Sequence, residues 1–271
     1  MARRGSESLF SSHGAPALYN SAMIHVSNLC KSFGEVKAVD DLTFSVPAGE
    51  VFGLLGPNGA GKTTTLRILA TLLKADSGSV DVNGHDIKKD AECVRAEIGV
   101  VNGGMGLYDR LTGFEVLRYF GGLYGMSRAQ VDARVDVLDD LLDLGSTLTR
   151  RTGDFSTGMK QKIVIARSVL HDPPVIFFDE ATSGLDVMAR RTVLNFVKRY
   201  KDEQRAVIYS THVMSEVEEV CDRVAIIYGG KLIAQGGVDE LIAEADAKDL
   251  EAAFFTLIER SDIRTLEEVS A

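Results

Sequence analysis

The chain has 271 residues, 45% of them hydrophobic and 25% charged, an ordinary composition for a globular protein that buries a substantial core. Its formal net charge of −9 argues against broad nucleic-acid binding, and no apolar run approaches the roughly 20 residues needed to cross a bilayer. Three scattered cysteines without a C-x-x-C pair indicate free or buried thiols rather than a zinc site. Residues 1–22 lack an apolar segment, so we expect a flexible extension and not a targeting signal.

Short apolar runs alternate with helical patterns along most of the chain, which predicts an α/β fold with a mostly parallel, covered sheet. Turn sequences at Pro47-Ala48-Gly49 and Asn83-Gly84 predict that the early strands are partly antiparallel. The predicted strands are Ile24–Leu29, Leu42–Val46, Val51–Leu55, Val80–Val82, Ile98–Val101, Val175–Phe178, Ala206–Ser210, Val224–Tyr228 and Lys231–Ala234.

Two further regions follow a helical pattern. Within residues 104–170 the strand pattern is replaced by apolar residues at helical spacing, which predicts a helical insertion between two parts of the α/β core. Apolar residues at i, i+3, i+4, i+7 and i+8 over 250–258 predict an amphipathic helix that packs against the body. We therefore expect one folded domain over 23–258 and a frayed acidic tail over 259–271.

The most informative segment, Gly56–Thr63, fits the phosphate-loop pattern G-x-x-x-x-G-K-[ST] between an apolar strand and a helix. Its glycines allow successive backbone N–H groups to face an anion, and the helix N-terminus adds partial positive charge. Lys62 would reach the β- and γ-phosphates, and Thr63 would place its hydroxyl on Mg²⁺. A chance match in a glycine-rich turn is the alternative, which the flanking strand and helix disfavour. The predicted phosphate contacts are Gly56, Pro57, Asn58, Gly59, Ala60, Gly61, Lys62, Thr63 and Thr64.

The apolar strand that begins at Val175 ends in two carboxylates, Asp179 and Glu180. In a parallel sheet such a strand delivers its last residues to the edge where the phosphate loop lies. Asp179 would then be the second Mg²⁺ partner, and Glu180 could polarise the attacking water. Alone, the pair could simply begin a helix; together with the phosphate loop it predicts a hydrolytic nucleotide site.

Two other segments could contact a nucleotide. Ser156 and Gly158 precede a long helical stretch, so they form a helix N-terminus that can bind an anion, and Ser156 can also cap that helix. His212 follows a strand and precedes a helix; such a residue is usually a surface histidine, but beside a γ-phosphate it would stabilise transition-state charge.

The order of these motifs resembles that of the nucleotide-binding subunits of ATP-binding cassette (ABC) transporters over roughly residues 23–258. The resemblance makes Gly56–Thr63 the Walker A loop, Val175–Asp179 the Walker B strand and Glu180 the catalytic glutamate, with Lys62 and His212 as further catalytic groups. It makes Phe155–Met159 the signature segment. It also implies a P-loop NTPase core with an antiparallel β subdomain, a D-loop at Ser183–Asp186, a switch role for His212, and Phe33 stacked on adenine.

The chain departs from the family pattern at two positions, since Gly103 stands where the family places Gln, and Ala181 stands where Pro is usual. The first departure removes a side chain that links Mg²⁺, water and the helical insertion. The amino-acid sequences of Gly106–Thr112 and of the signature segment are most similar to those of the sodium-export and multidrug-export branch of the family.

The resemblance implies an ATPase that uses ATP and Mg²⁺ as a head-to-tail dimer, of two copies or with a homologous subunit. In such a dimer Lys62 of one subunit and Ser156 of the other hold each nucleotide. It further implies an integral membrane permease as partner, at the cytoplasmic face of the membrane, and no nucleic acid. A soluble ABC ATPase without transport, and a regulatory subunit that hardly hydrolyses ATP, remain as alternatives.

Overall fold

A computed structural model describes residues 22–270 of the chain. The predicted N-terminal extension lies outside the described residues, except that Ala22 begins the first strand. The strands are β1 (Ala22–Phe33), β2 (Val36–Pro47), β3 (Val51–Leu55), β4 (Ser77–Val82), β5 (His85–Asp86), β6 (Ile98–Asn102), β7 (Val175–Asp179), β8 (Ala206–Thr211), β9 (Arg223–Tyr228) and β10 (Lys231–Gly237).

All nine predicted strands are present, and the helices fill the intervals where the helical pattern was found. The helices are α1 (Lys62–Leu69), α2 (Ala91–Glu97), α3 (Gly113–Leu123), α4 (Arg128–Leu142), α5 (Thr157–Ser168), α6 (Val187–Tyr200), α7 (Met214–Val220), α8 (Val238–Ala245) and α9 (Leu250–Ser270). Helices α3 and α4 each begin at a capping box, in which Thr112 and Ser127 exchange hydrogen bonds with the residue three positions later.

The strands form two sheets. The larger has the order β10-β9-β3-β8-β7-β6 and is parallel except for β10, which pairs antiparallel with β9. The smaller has the order β2-β1-β4-β5, and every pairing in it is antiparallel. The predicted antiparallel strands therefore form a sheet of their own, extended by the two-residue β5, which is too short to recognise in the sequence.

The parallel strands end in register. Leu55 at the end of β3 is opposite Thr211 of β8, Ser210 is opposite Asp179 of β7, and Asp179 is opposite Asn102 of β6. The segments that follow these strands therefore emerge at one edge of the sheet, as expected for a doubly wound α/β fold.

Buried apolar side chains on both faces of the large sheet fix this arrangement. One cluster packs β6–β8 against the helical insertion and α6, and includes Val101, Phe178 and Phe196. A second cluster fills the space between the two sheets, where Phe44 and Phe52 stack with ring centroids 5.3 Å apart. The insertion thus shares its core with the strand that carries Asp179.

The C-terminal helix is longer than expected. We predicted a frayed tail from residue 259, but α9 continues to Ser270. Half of its added residues are Leu, Glu or Arg, which favour helix, and the Arg260 guanidinium donates to the backbone carbonyl oxygens of Glu244 and Ala245. Within residues 22–270, no helix combines the length and the hydropathy that a bilayer-spanning segment requires.

Candidate nucleotide-hydrolysing site

The phosphate loop connects the end of β3 to the start of α1, and glycine is required at two of its positions. A Cβ on Gly56 would collide with the carbonyl oxygen of Ile227. Gly61 has a φ of 107°, and a Cβ there would collide with the carbonyl oxygen of Ala38. The neighbouring strands therefore enclose the loop so closely that it is held by sterics as well as by backbone hydrogen bonds, such as that from the N–H of Gly230 to the carbonyl of Ala60.

The Lys62 ammonium lies inside this loop. Its Nζ donates hydrogen bonds to the carbonyl oxygens of Gly56 at 2.7 Å and Pro57 at 3.0 Å, and lies 3.6 Å from Glu180 Oε1. The residue is only 4% exposed, and this burial lowers its pKa, an effect opposed by the nearby Glu180 carboxylate. A positive charge held by backbone carbonyl oxygens of the loop can bind a phosphate oxygen that enters it.

Asp179 is contacted by hydroxyl groups from two other elements. Thr63 Oγ1 donates to its Oδ1 at 2.9 Å, and Ser210 Oγ donates to the same oxygen at 3.3 Å. These are hard oxygen donors of the kind that Mg²⁺ prefers. Over residues 22–270 the structure brings together no group of three His, Cys, Asp or Glu side chains that could hold a metal by itself. The donor set fits an ion that takes its remaining ligands from phosphate oxygens and water.

Glu180 is held in a rarely populated backbone conformation beside His212. Its φ is +49°, and its N–H donates to the carbonyl of Ser210 at 3.0 Å. Its Oε1 lies 3.5 Å from Nδ1 of His212, and both side chains are partly exposed. Because a non-glycine residue with positive φ costs about 1–3 kcal/mol, its surroundings must hold it there, as at many functional sites. The structure therefore brings two of the predicted catalytic groups, Lys62 and His212, to one carboxylate oxygen of the third, Glu180.

Two cavities flank Glu180. A cavity of about 300 Å³ is lined by Ala38, Asn58, Gly59, Ala60, Gly61, Lys62, Thr63, Thr64 and Glu180. A second, of about 390 Å³, is lined by Thr63, Arg67, Asn102, Gly103, Gly104, Asp179, Glu180 and Ser183. The predicted phosphate contacts from Asn58 to Thr64 thus share one cavity, while Asp179 lines the other together with Thr63.

Sequence reasoning missed Arg67 and Ser210 as members of this site. Arg67 follows Thr63 by four residues on α1, a spacing that places both on one helix face. Ser210 lies next to the end of β8 and opposite Asp179. Both signals were present in the sequence, but using them required the pairing of β7 with β8.

The signature residues lie elsewhere in the chain. Ser156 is exposed at the N-cap of α5, and its hydroxyl accepts a hydrogen bond from the N–H of Met159 at 3.3 Å, as predicted for a helix cap. Gly158 packs against α6, where a Cβ on the glycine would lie 2.9 Å from Cβ of Ala189. Neither Ser156 nor Gly158 lines the two cavities beside the phosphate loop.

Phe33, the predicted adenine contact, is at the end of β1 and is not a core residue. It is 52% exposed, and Nζ of Lys31 lies 5.5 Å from its ring centroid. An aromatic face available at the surface can stack on a nucleobase. Phe33 lines neither of the two cavities.

Gly103, the main departure from the family pattern, contacts the end of β7 through its backbone. Its N–H donates to the carbonyl of Asp179 at 3.2 Å. A Cβ at this position would lie 3.2 Å from the carbonyl oxygen of Glu180, so a larger residue must displace the segment by a few tenths of an ångström. The second departure, Ala181, is buried in the core beside Phe178.

A glycine loop between a strand and a helix, in register with a strand that ends in two carboxylates, defines a P-loop nucleoside triphosphatase. The family model described as "ABC transporter" matches residues 39–183, more than half of the chain. The chain belongs to the ABC transporter family, as its ATP-binding, ATP-hydrolysing subunit.

Individual relatives agree with this assignment. The chain is 42% identical over 226 residues to the ABC transporter ATP-binding protein NatA of Bacillus subtilis, covering 83% of this chain and 92% of that protein. It is 40% identical to the Nod factor export ATP-binding protein I of Paraburkholderia xenovorans, covering 82% and 73%. A solved structure of the ATP-binding subunit of an ABC transporter superposes with a TM-score of 0.79 at 29% identity, covering 87% of this chain and 99% of the other.

The close contact between residue 103 and Glu180 leads to the first prediction. Gly103→Gln should change the basal ATPase rate only a few-fold, because Thr63 and Asp179 can hold the metal without a side chain at 103. Gly103→Ala, which adds only the Cβ, is the matched control for the backbone displacement. Steady-state phosphate release from the two variants measures both effects. An inactive wild-type subunit that Gly103→Gln activates would contradict the prediction and favour a regulatory subunit.

Proposed function

We propose that this chain hydrolyses ATP to drive export of a sodium ion or a drug-type molecule through a membrane permease, docked at the cytoplasmic face. The observation that carries the hydrolytic part is the convergence of Lys62, Glu180 and His212 beside the metal-type oxygens of Thr63 and Asp179. The proposed direction of transport rests on the amino-acid sequences of the loop before α3 and of the signature segment, which resemble those of the export branch. It is also the direction named for the Nod factor export relative.

Each group has a role that follows from its position. Lys62 and the N–H groups of the phosphate loop would bind the β- and γ-phosphates. Thr63 and Asp179 would hold Mg²⁺, which when bound would neutralise charge on the phosphate oxygens. Glu180 would accept a proton from the attacking water as general base, and His212 would donate a hydrogen bond to the developing charge on the γ-phosphate.

A head-to-tail dimer would complete each site. Ser156 and Gly158 are outside the cavities beside the phosphate loop, so a second subunit would have to supply them. The start of α6, beside the signature helix, exposes two apolar side chains: Val187 is 77% exposed and Met188 is 75% exposed. Burial of adjacent apolar side chains against a second copy would stabilise such an interface.

The helical insertion carries a surface suited to a permease. Tyr108, Leu111 and Tyr119, together with Asp109 and Arg110, line an open, mainly apolar cavity of about 410 Å³. The rings of Tyr108 and Tyr119 meet edge to face with their centroids 5.6 Å apart. The glycine-rich segment from Gly103 to Gly106 joins this surface to the Asp179 cavity. A permease segment bound there could alter the position of Gly103 beside Glu180.

Glu180→Gln tests the catalytic role. If Glu180 activates water, hydrolysis should fall by roughly two to four orders of magnitude with ATP affinity nearly unchanged. The control is Glu219→Gln, which neutralises an exposed carboxylate on α7 that pairs with Lys198. Single-turnover hydrolysis and equilibrium nucleotide binding measure the two quantities. A hydrolysis rate near wild type for Glu180→Gln would leave Glu180 only as a helix-start carboxylate.

The composite site predicts complementation between two inactive variants. Lys62→Ala and Ser156→Arg should each be inactive alone. Mixed, they should recover up to about a quarter of wild-type ATPase activity, since half of the random dimers have one intact site of two. A mixture of Lys62→Ala with Glu180→Gln should recover none, because each of its sites has one defect. Two affinity tags would report dimer formation, and a tagged mixed dimer of the first pair without activity would contradict the proposal.

The permease surface predicts an uncoupled variant. Tyr108→Ala should retain basal ATPase activity, since Tyr108 lines neither of the two cavities beside the phosphate loop, but should lose the stimulation of hydrolysis by transport. Val137→Ala, an exposed apolar truncation on α4 of the same insertion, is the control. Both activities are measured after reconstitution with the permease in vesicles. Wild-type coupling by Tyr108→Ala would contradict docking at this surface. Stable binding of the wild-type subunit to ribosomes or DNA would instead favour a soluble ABC ATPase without transport.

A further inference from the structure

Glu216, on α7, is a buried carboxylate with an unusual set of partners. It is 2% exposed, and its Oε2 accepts hydrogen bonds from the hydroxyl groups of Thr182 at 3.0 Å, Tyr209 at 3.0 Å and Thr211 at 2.9 Å. Its Oε1 has no hydrogen-bond partner, and the Arg190 Nε lies 3.6 Å away. We call these five residues the Glu216 network. A buried charge with three donors on a single oxygen needs an explanation beyond helix stability.

The network joins the segments that carry the two proposed general acid–base groups. Thr182 is two residues after Glu180, in a tight turn closed by the hydrogen bond from the N–H of Ser183 to the Glu180 carbonyl at 3.0 Å. Thr211 directly precedes His212, and its hydroxyl also accepts from the N–H of Val213 at 3.1 Å. One carboxylate therefore holds the chain two residues after Glu180 and immediately before His212.

Both segments need such support. Glu180 has a positive φ, and its carboxylate is 29% exposed; the His212 side chain is 46% exposed and is held in the described structure only by the 3.5 Å approach to Glu180. The turn after Glu180 is not rigidified by a proline, since Ala181 follows it. Hydrogen bonds to an ionised group are roughly twice as strong as neutral ones, so the Glu216 carboxylate is an effective anchor for the hydroxyls of Thr182 and Thr211.

We propose that Glu216 is a positioning residue for hydrolysis: it fixes the Glu180 turn and the His212 segment relative to each other through Thr182 and Thr211. This inference rests on the proposed roles of Glu180 and His212. The simpler alternative is that Glu216, in the first turn of α7, only stabilises that helix and its packing. The alternative predicts lower stability without a specific loss of turnover.

The main test is Glu216→Gln in the full-length protein, with Glu219→Gln on the same helix as control. The amide keeps the shape of the carboxylate but removes the charge and presents an N–H₂ group to Arg190 Nε, so the anchor weakens. We expect kcat for ATP to fall roughly 10- to 100-fold, the effect of a small displacement of catalytic groups, with KM and the thermal midpoint close to wild type. Equal kcat values for Glu216→Gln and Glu219→Gln would overturn the inference.

A pair of hydroxyl deletions separates positioning from folding, and decides the question if Glu216→Gln does not fold. Thr182→Val removes the donor attached to the Glu180 turn, whereas Tyr209→Phe removes a donor to the same oxygen from the middle of β8. We expect a marked loss of kcat for Thr182→Val and a slight one for Tyr209→Phe. Equal losses in kcat, or losses that follow the thermal midpoint, would indicate a structural role and overturn the inference.

Combining Glu216→Gln with Glu180→Gln distinguishes this inference from the proposed function. Because residues that act as a unit are non-additive, Glu216→Gln should slow the Glu180→Gln protein far less than it slows wild type. Full additivity of the two effects would overturn the positioning role alone. A Glu180→Gln protein that hydrolyses ATP at the wild-type rate would instead overturn the proposed function.

Discussion

The site depends on the register of three parallel strands, β3, β8 and β7. Since Leu55 is opposite Thr211 and Ser210 is opposite Asp179, the phosphate loop, the switch segment and the acidic pair leave the sheet side by side. A slip of one residue in either pairing would turn Asp179 away from Thr63. The apolar side chains on both faces of these strands prevent such a slip, because it would exchange their buried faces. The chemistry of the site is therefore set by packing far from the nucleotide.

The elements around this edge were predictable because their signals are local. The strand before Gly56, the strand before Asp179 and the helix after Ser156 each have an unmistakable apolar pattern, and their existence is confirmed. The roles of the individual side chains at these positions remain predictions. Helix α9 extends to Ser270, beyond the amphipathic pattern recognised over 250–258, and the contact of Arg260 with α8 joins residues distant in sequence.

Other features were hidden for physical reasons. Glu216 lies in a run of glutamates and valines that is typical of a solvated helix face. Its burial follows only from the packing of α7 against β3, β8, α6 and α9. The three hydroxyls that contact it come from two separate segments, so no spacing within the sequence links them. Ser210 belongs to the site through the pairing of β8 with β7, and Arg67 through the packing of α1 against β7. Sequence patterns thus located the backbone of the site, whereas the side-chain network behind it depends on tertiary structure.

The contact between Gly158 and Ala189 has a mechanical consequence. With no side chain on one partner and a single methyl group on the other, α5 approaches α6 as closely as van der Waals radii allow. A helix in such contact is nearly incompressible, since packed interiors transmit strain rather than absorb it. We therefore expect a displacement of the N-terminus of α5 to move the first turn of α6. The exposed serine of one segment would then shift together with the exposed Val187 and Met188 of the other.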